Sequence, residues 1–179
     1  MHADIRSEQA KLRLLMNKYD LAQEVISSIS STKYRQYEIL RKDLTLYQFY
    51  IDLLYGNLER INLKSIKTHL NTFSKDLSGK YISLLIGELI YYISTGREGK
   101  IIDKSEALNM YIRNHLSEEN NKISYTFIRN LLLLLRNKDL EPLPKVNIQQ
   151  DDVEIIPYET LQAVVLDRLV KSGYIMPQQ

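Results

Sequence analysis

Apolar residues recur every three or four positions through most of the first 140 residues, the spacing of helices that each bury one face. From Ile5 to Ile29 they fall at Ile5, Leu12, Leu15, Tyr19, Ala22, Ile26 and Ile29, which predicts one helix. The hydroxyl-rich run that follows, from Ser27 to Thr32, competes for backbone hydrogen bonds and marks a turn near Ser30 to Thr32. A second stripe, Tyr37, Leu40, Leu44, Tyr47, Ile51, Leu54, Leu58 and Ile61, predicts a second helix, widened by Tyr50 and Leu53. Gly56 and Asn57 weaken its last turn and Asn62 can cap a fresh helix, so a bend or break is expected between Asn57 and Asn62. Leu63, Ile66, Leu70, Phe73 and Leu77 continue the spacing as a third helix, closed by Ser78 and Gly79.

The stretch from Tyr81 to Leu116 stands at the centre of the expected core. Its first thirteen residues are apolar on almost every side, interrupted only by Ser83, Gly87 and Glu88, as in a helix surrounded by others. Ser94 to Gly99, S-T-G-R-E-G, would be a loop on propensity alone. Phase favours helix, because Leu89, Ile93, Ile101, Ser105, Leu108 and Ile112 share one face if the helix continues, with Arg97 between them. The expectation is one long helix of about 35 residues, roughly 50 Å end to end.

Ser117, Glu118 and Glu119 read as the start of another helix, with serine as its cap and acids in its first turn. Ile123, Phe127, Leu131 and Leu134 form its inner face. Five consecutive leucines, Leu131 to Leu135, cannot all point inward, so part of the run meets either a partner or flanking helices of the same chain. Beyond Asn137 the chain turns irregular and proline-punctuated. Val146 to Ile148 and Val153 to Ile156 suggest short strands, Pro157 opens a helix with Leu161, Val164, Val165, Leu169 and Val170 on its apolar face, and Gly173 ends it. The fold class is therefore mainly α: a bundle of five to six helices with one long central helix over residues 1–138, a linker over 139–145, and a small C-terminal α+β appendage over 146–179.

Composition narrows the function classes. The 179 residues, 44% hydrophobic, suffice for a substantial core. Lys and Arg number 24 against 22 acids, and a net charge of +2 gives no general field drawing the chain to nucleic acid or membrane. With no cysteine there can be no disulfide, thiolate zinc site or cysteine nucleophile. The first residues, M-H-A-D-I-R-S-E-Q, lack the apolar core of a signal peptide, and no apolar run reaches the ~20 residues a bilayer requires, so a soluble intracellular protein is expected. Thirteen tyrosines against three phenylalanines and no tryptophan point to extensive half-wet interfaces or to genomic composition.

Candidate chemistry is sparse. G-R-E-G-K-I, Gly96 to Ile101, has too few residues between its glycines for a phosphate-binding loop and no Ser or Thr after the lysine. His115 with Glu118 or Glu119 has helical metal-ligand spacing, but the helix start at Ser117 separates them, and a surface histidine is the better reading. His2 lies in a terminus and His69 beside the Leu70 stripe, where a partly exposed histidine is expected rather than a catalytic one, and no Ser-His-Asp arrangement emerges. Asp151 and Asp152 are adjacent in an extended segment, so they point opposite ways and cannot share a proton or chelate. Lys33, Arg35, Arg41 and Lys42 form a weak basic stripe diluted by Glu38 and Asp43. No catalytic residue, metal site or cofactor is expected.

The order of parts resembles a GINS subunit, of the type with a helical A domain followed by a small B domain. R-E-G-K-I-I-D-K-S-E-A-L, Arg97 to Leu108, is similar to that family's long helix, with a basic pair ahead of Lys-Ile. L-S-E-E-N, Leu116 to Asn120, is similar to the Leu-Thr-Pro-Glu-Glu lead into its last A-domain helix. D-V-E-I-I-P followed by V-K-S-G-Y-I resembles the end of its B domain. The chain departs from the family in a B-like segment that is short and without the usual glycine-containing hairpin. The resemblance implies an archaeal-type, non-enzymatic scaffold of the replication fork, cytoplasmic and nucleoid-associated. It would assemble with a second GINS-type subunit and bridge the MCM helicase to a RecJ-like protein and primase, touching DNA only indirectly. It also implies interface roles for Arg97 and Lys100 through charge-assisted hydrogen bonds, and for the C-terminal appendage with Tyr158 and Tyr174. Leu132 and Leu133 join them from the leucine run. For Arg97 and Lys100 the plain alternative is an intrahelical pair with Glu98 or Asp103.

A second function class remains. L-D-R-L-V-K-S-G-Y-I, Leu166 to Ile175, also matches the end of a winged-helix recognition helix, as in a DNA-binding regulator with a helical dimerisation domain. The six acids between Asp139 and Glu159 weigh against it.

Overall fold

The computed structural model describes residues 2–30, 38–70, 80–116, 122–137, 158–171 and 173. These hold eight α-helices: α1 His2–Leu15, α2 Tyr19–Ser30, α3 Glu38–Tyr55, α4 Leu63–Leu70, α5 Lys80–Ser94, α6 Glu98–His115, α7 Lys122–Asn137 and α8 Tyr158–Lys171. A short 3-10 turn, Leu58–Arg60, lies between α3 and α4. The helices fall into two compact units, α1 to α4 and α5 to α8. Among the described residues there is no strand; the two short strands expected at Val146–Ile148 and Val153–Ile156, and the linker, lie outside them. No described helix is long and apolar enough to cross a membrane.

Eight helices replace the expected five to six because two predicted helices are hairpins, and both breaks use the same device. At the first, the Asn17 N–H donates to the Leu14 carbonyl (3.1 Å) and the Lys18 N–H to the Arg13 carbonyl (2.8 Å), with Asn17 at φ 59°. This pattern terminates a helix by turning one residue left-handed, which asparagine accepts better than most non-glycine residues. The segment Ile5 to Ile29 is thus α1 and α2 packed on each other. Its inward face differs accordingly: Ser7, Ala10 and Leu14 are buried on α1, whereas Leu12 is 55% exposed. Periodicity does not detect the reversal, because two helices lying on one core each keep the three-four spacing.

The second break overturns the long central helix. Gly96 sits at φ 64°, its N–H donating to Ile93 (3.2 Å), and the Arg97 N–H donates to Tyr92 (3.0 Å). Residues 94–99 are therefore the end of α5, a turn and the start of α6, with Arg97 as the capping residue. Side chains confirm that the chain doubles back. Glu88 and Lys104, each eight residues from Gly96, form an ion pair, and the Tyr81 and Tyr111 rings, each fifteen residues away, lie 5.7 Å apart. In a continuous helix Glu88 and Lys104 would be separated by about 24 Å.

The same motif closes α3, where Gly56 (φ 77°) donates to Leu53 and Asn57 to Asp52. The Asn62 Oδ1 then accepts the Ser65 N–H (3.0 Å) and caps α4, so the break expected between Asn57 and Asn62 is observed. Leu161, Val165 and Leu169 are buried on α8, which ends toward Gly173 as expected.

In the first unit α3 packs on α1, α2 and α4, and from Leu46 to Leu53 all of its residues except Gln48 are buried. Gln23 and Gln48 exchange two amide hydrogen bonds between α2 and α3 (2.9 and 2.8 Å), satisfying both half-buried amides. In the second unit every residue of α5 from Ile82 to Ile93 is buried, including Ser83, Gly87 and Glu88, as its all-round apolar pattern requires. Tyr47, Tyr50, Tyr91 and Tyr92 are buried in the core, whereas Tyr19, Tyr111 and Tyr125 are half-buried and Tyr55 and Tyr81 exposed.

Candidate functional site

Two clefts of distinct character lie among the described residues, one within each unit. In the first unit a cleft of about 560 Å³ lies among α2, α3, α4 and the 3-10 turn, lined by Ile26, Phe49 and Ile66 with Arg41, Gln48, Asp52, Arg60 and Asn62. Asp52, 6% exposed, accepts a hydrogen bond from Gln48 Nε2 (3.3 Å). Burial pushes its carboxyl above the ordinary carboxylate range, against the opposing pull of Gln48 and Arg60. Asp52 is the one acid in the lining of this cleft, which it shares with the hydroxyls of Thr45 and Ser65, and the nearby Glu59 charge adds to the rise.

In the second unit a groove of about 400 Å³ runs between α6 and α7. Its origin lies in the leucine run. Leu131, Leu134 and Leu135 are buried together with Phe127 and Ile128, which uses the inner face of α7. The 100° step between residues then carries Leu132 and Leu133 outward: Leu132 is half-buried and Leu133 is 44% exposed, and both line the groove. Arg129 and Arg136 follow on the same side at three or four residues' spacing, and Tyr125 lies a turn before Arg129. The opposite wall is α6, with Asn109, Arg113 and, at its base, the buried Ile112.

Of the residues singled out by sequence, Leu132 and Leu133 are brought together in this groove. Arg97 and Lys100 are not part of it. Arg97 is exposed, with its guanidinium over the Tyr91 ring at 5.8 Å, and Lys100 makes an exposed ion pair with Asp103 at 3.2 Å, the plain alternative. The backbone of Tyr158 opens α8, and Tyr174 lies outside the described residues. His115 is exposed against the Tyr111 ring, and the His69 Nδ1 lies 2.7 Å from the Ser65 carbonyl oxygen. Glu118, Glu119, Asp151, Asp152, Lys33 and Arg35 lie outside the described residues. Among the described residues no three His, Asp or Glu side chains gather where they could hold a metal ion.

Sequence reasoning missed Arg113, Arg129 and Arg136. The two on α7 carry a legible signal, R-N-L-L-L-L-L-R, in which arginines bracket the surplus leucines at helical spacing. Arg113 joins them only through the packing of α6 on α7. No family model, curated protein or solved structure matches the chain.

Proposed function

We propose that this chain is a non-enzymatic scaffold that holds other proteins, with the α6–α7 groove as a docking face. One observation carries the reading: Leu132 and Leu133 stand side by side in a solvent-open groove, on the face of α7 opposite the leucines that serve the core. An exposed leucine beside a half-buried one, rimmed by polar residues, marks an interaction surface.

The narrower form of this proposal is the GINS-type role, with a second GINS-type subunit, the MCM helicase, a RecJ-like protein and primase as partners, inside the cell near the nucleoid. L-S-E-E-N before α7 and the glycine-ended α8 support it. The Arg97 to Leu108 similarity lends less, since those residues follow a turn and do not continue α5. The test is recovery of the tagged chain from its native cells, alone and as the Leu132→Glu/Leu133→Glu variant. Loss of identified partners in the variant is expected from the scaffold; recovery of the chain by itself in both cases would refute it. MCM and a second helical subunit among the partners are expected of the GINS role, and a partner set without any replication protein would refute that role alone.

A further inference from the structure

The charge around the α6–α7 groove specifies the kind of partner. Arg113, Arg129 and Arg136 are all exposed in its lining, and none pairs with a carboxylate among the described residues. The lining holds a single acid, Glu106. Cations left without acids in a protein of nearly balanced charge give this face a local excess of positive charge. Arg129 and Arg136 are seven residues apart on α7, about 10 Å, with Leu132 and Leu133 between them, and Arg113 stands on the facing wall. The apolar centre is thus flanked by a cation at each end and one across.

We propose that the groove binds an acidic amphipathic helix of a partner protein, of about three turns, whose apolar residues at i, i+3 or i+4, and i+7 cover Leu132, Leu133 and Tyr125 and whose flanking carboxylates meet the three arginines. The inference rests on the docking role of this groove and adds the partner's chemistry. Length agrees: the lining stretch of α7, Tyr125 to Arg136, spans ~16 Å, about three helical turns. Arginine suits carboxylates through its planar fork of donors. A nucleic-acid strand fits less well, because a phosphate track is served by continuous cations and stacking rings, whereas this groove is centred on aliphatic side chains with Glu106 beside them.

The experiment uses the full chain and a fluorescein-labelled synthetic helix of about 14 residues with leucines at i, i+4 and i+7 and glutamates flanking them, read by fluorescence anisotropy. Its control carries lysine at every glutamate. The glutamate peptide is expected to bind more tightly than the lysine peptide and to weaken roughly tenfold on Arg129→Glu/Arg136→Glu, while the lysine peptide gains affinity for that variant. Arg129→Lys/Arg136→Lys should retain most of the binding. All of these side chains are exposed, and circular dichroism checks that the variants keep their helix content. Equal binding of the two peptides, no change on charge reversal, displacement by a single-stranded oligonucleotide at lower concentration than by unlabelled peptide, or self-association that the reversal abolishes would each overturn the proposal. Partner loss in Leu132→Glu/Leu133→Glu without any charge preference would leave the scaffold standing and remove only the acidic partner.

Discussion

Two glycines three residues apart should respond oppositely to the same substitution. Gly96 holds φ 64°, and a Cβ built there meets nothing within 4 Å, so Gly96→Ala introduces no clash. Its cost is backbone alone: an L-residue in the left-handed region loses ~1–2 kcal/mol, partly offset by the smaller conformational freedom of alanine in the unfolded chain, for a net loss of about 1 kcal/mol. Gly99 is in the first turn of α6, also with open space around a Cβ, and there alanine gains about 0.5 kcal/mol. The two variants should therefore differ by ~1.5 kcal/mol, or about 3–6 °C in Tm for a chain of this size. A continuous helix through both positions predicts stabilisation at both and almost no gap. Thermal unfolding followed by circular dichroism at 222 nm measures the difference. Stabilisation by Gly96→Ala would refute the left-handed turn and with it the α5–α6 hairpin.

The other predictions address the polar contacts. Lys104→Met removes the cation from the buried Glu88 and should cost about 3 kcal/mol in urea unfolding, while the double variant Glu88→Gln/Lys104→Met should recover more than half; an unperturbed single variant would contradict the pair. Asp52 titrates above its ordinary value of 3.8 because it is buried, so the folded chain keeps this proton to higher pH than the unfolded chain does. Its contribution to stability is intact below the unfolded value and is lost as pH rises through the folded one. Asp52→Asn should accordingly raise Tm at pH 7, with the advantage fading below about pH 4; a constant advantage at all pH values would exclude titration of this carboxyl as the cause. The Tyr55 phenol donates a hydrogen bond to Asp20, which pushes its pKa up to about 12, and Asp20→Asn should return it toward 10 in an ultraviolet titration at alkaline pH. No movement would mean that the contact is not made in solution.

Local chemistry was legible wherever it acts over a few residues. The all-round apolar pattern from Tyr81 onward announced α5 as core, Asn62 announced a helix cap, and Leu161, Val165 and Leu169 announced the inner face of α8. The arginines bracketing the α7 leucines were readable too, since both lie on one helix within seven residues.

Chain reversals and pairings across helices were decided only by tertiary structure. A hydrophobic stripe records which residues face a core and not the direction in which the helix runs, so α1–α2 and α5–α6 each read as one rod. The break at Gly96 depended on whether its glycine would pay for helix or release into a left-handed turn, and packing of Glu88 on Lys104 and of Tyr81 on Tyr111 favours the turn. The groove has the same origin. Leucine spacing determined that two leucines would face outward from α7, whereas the packing of α6 brought Arg113 opposite them and made an exposed stripe into a charged cleft, because contacts between separate helices depend on positions that no local period encodes.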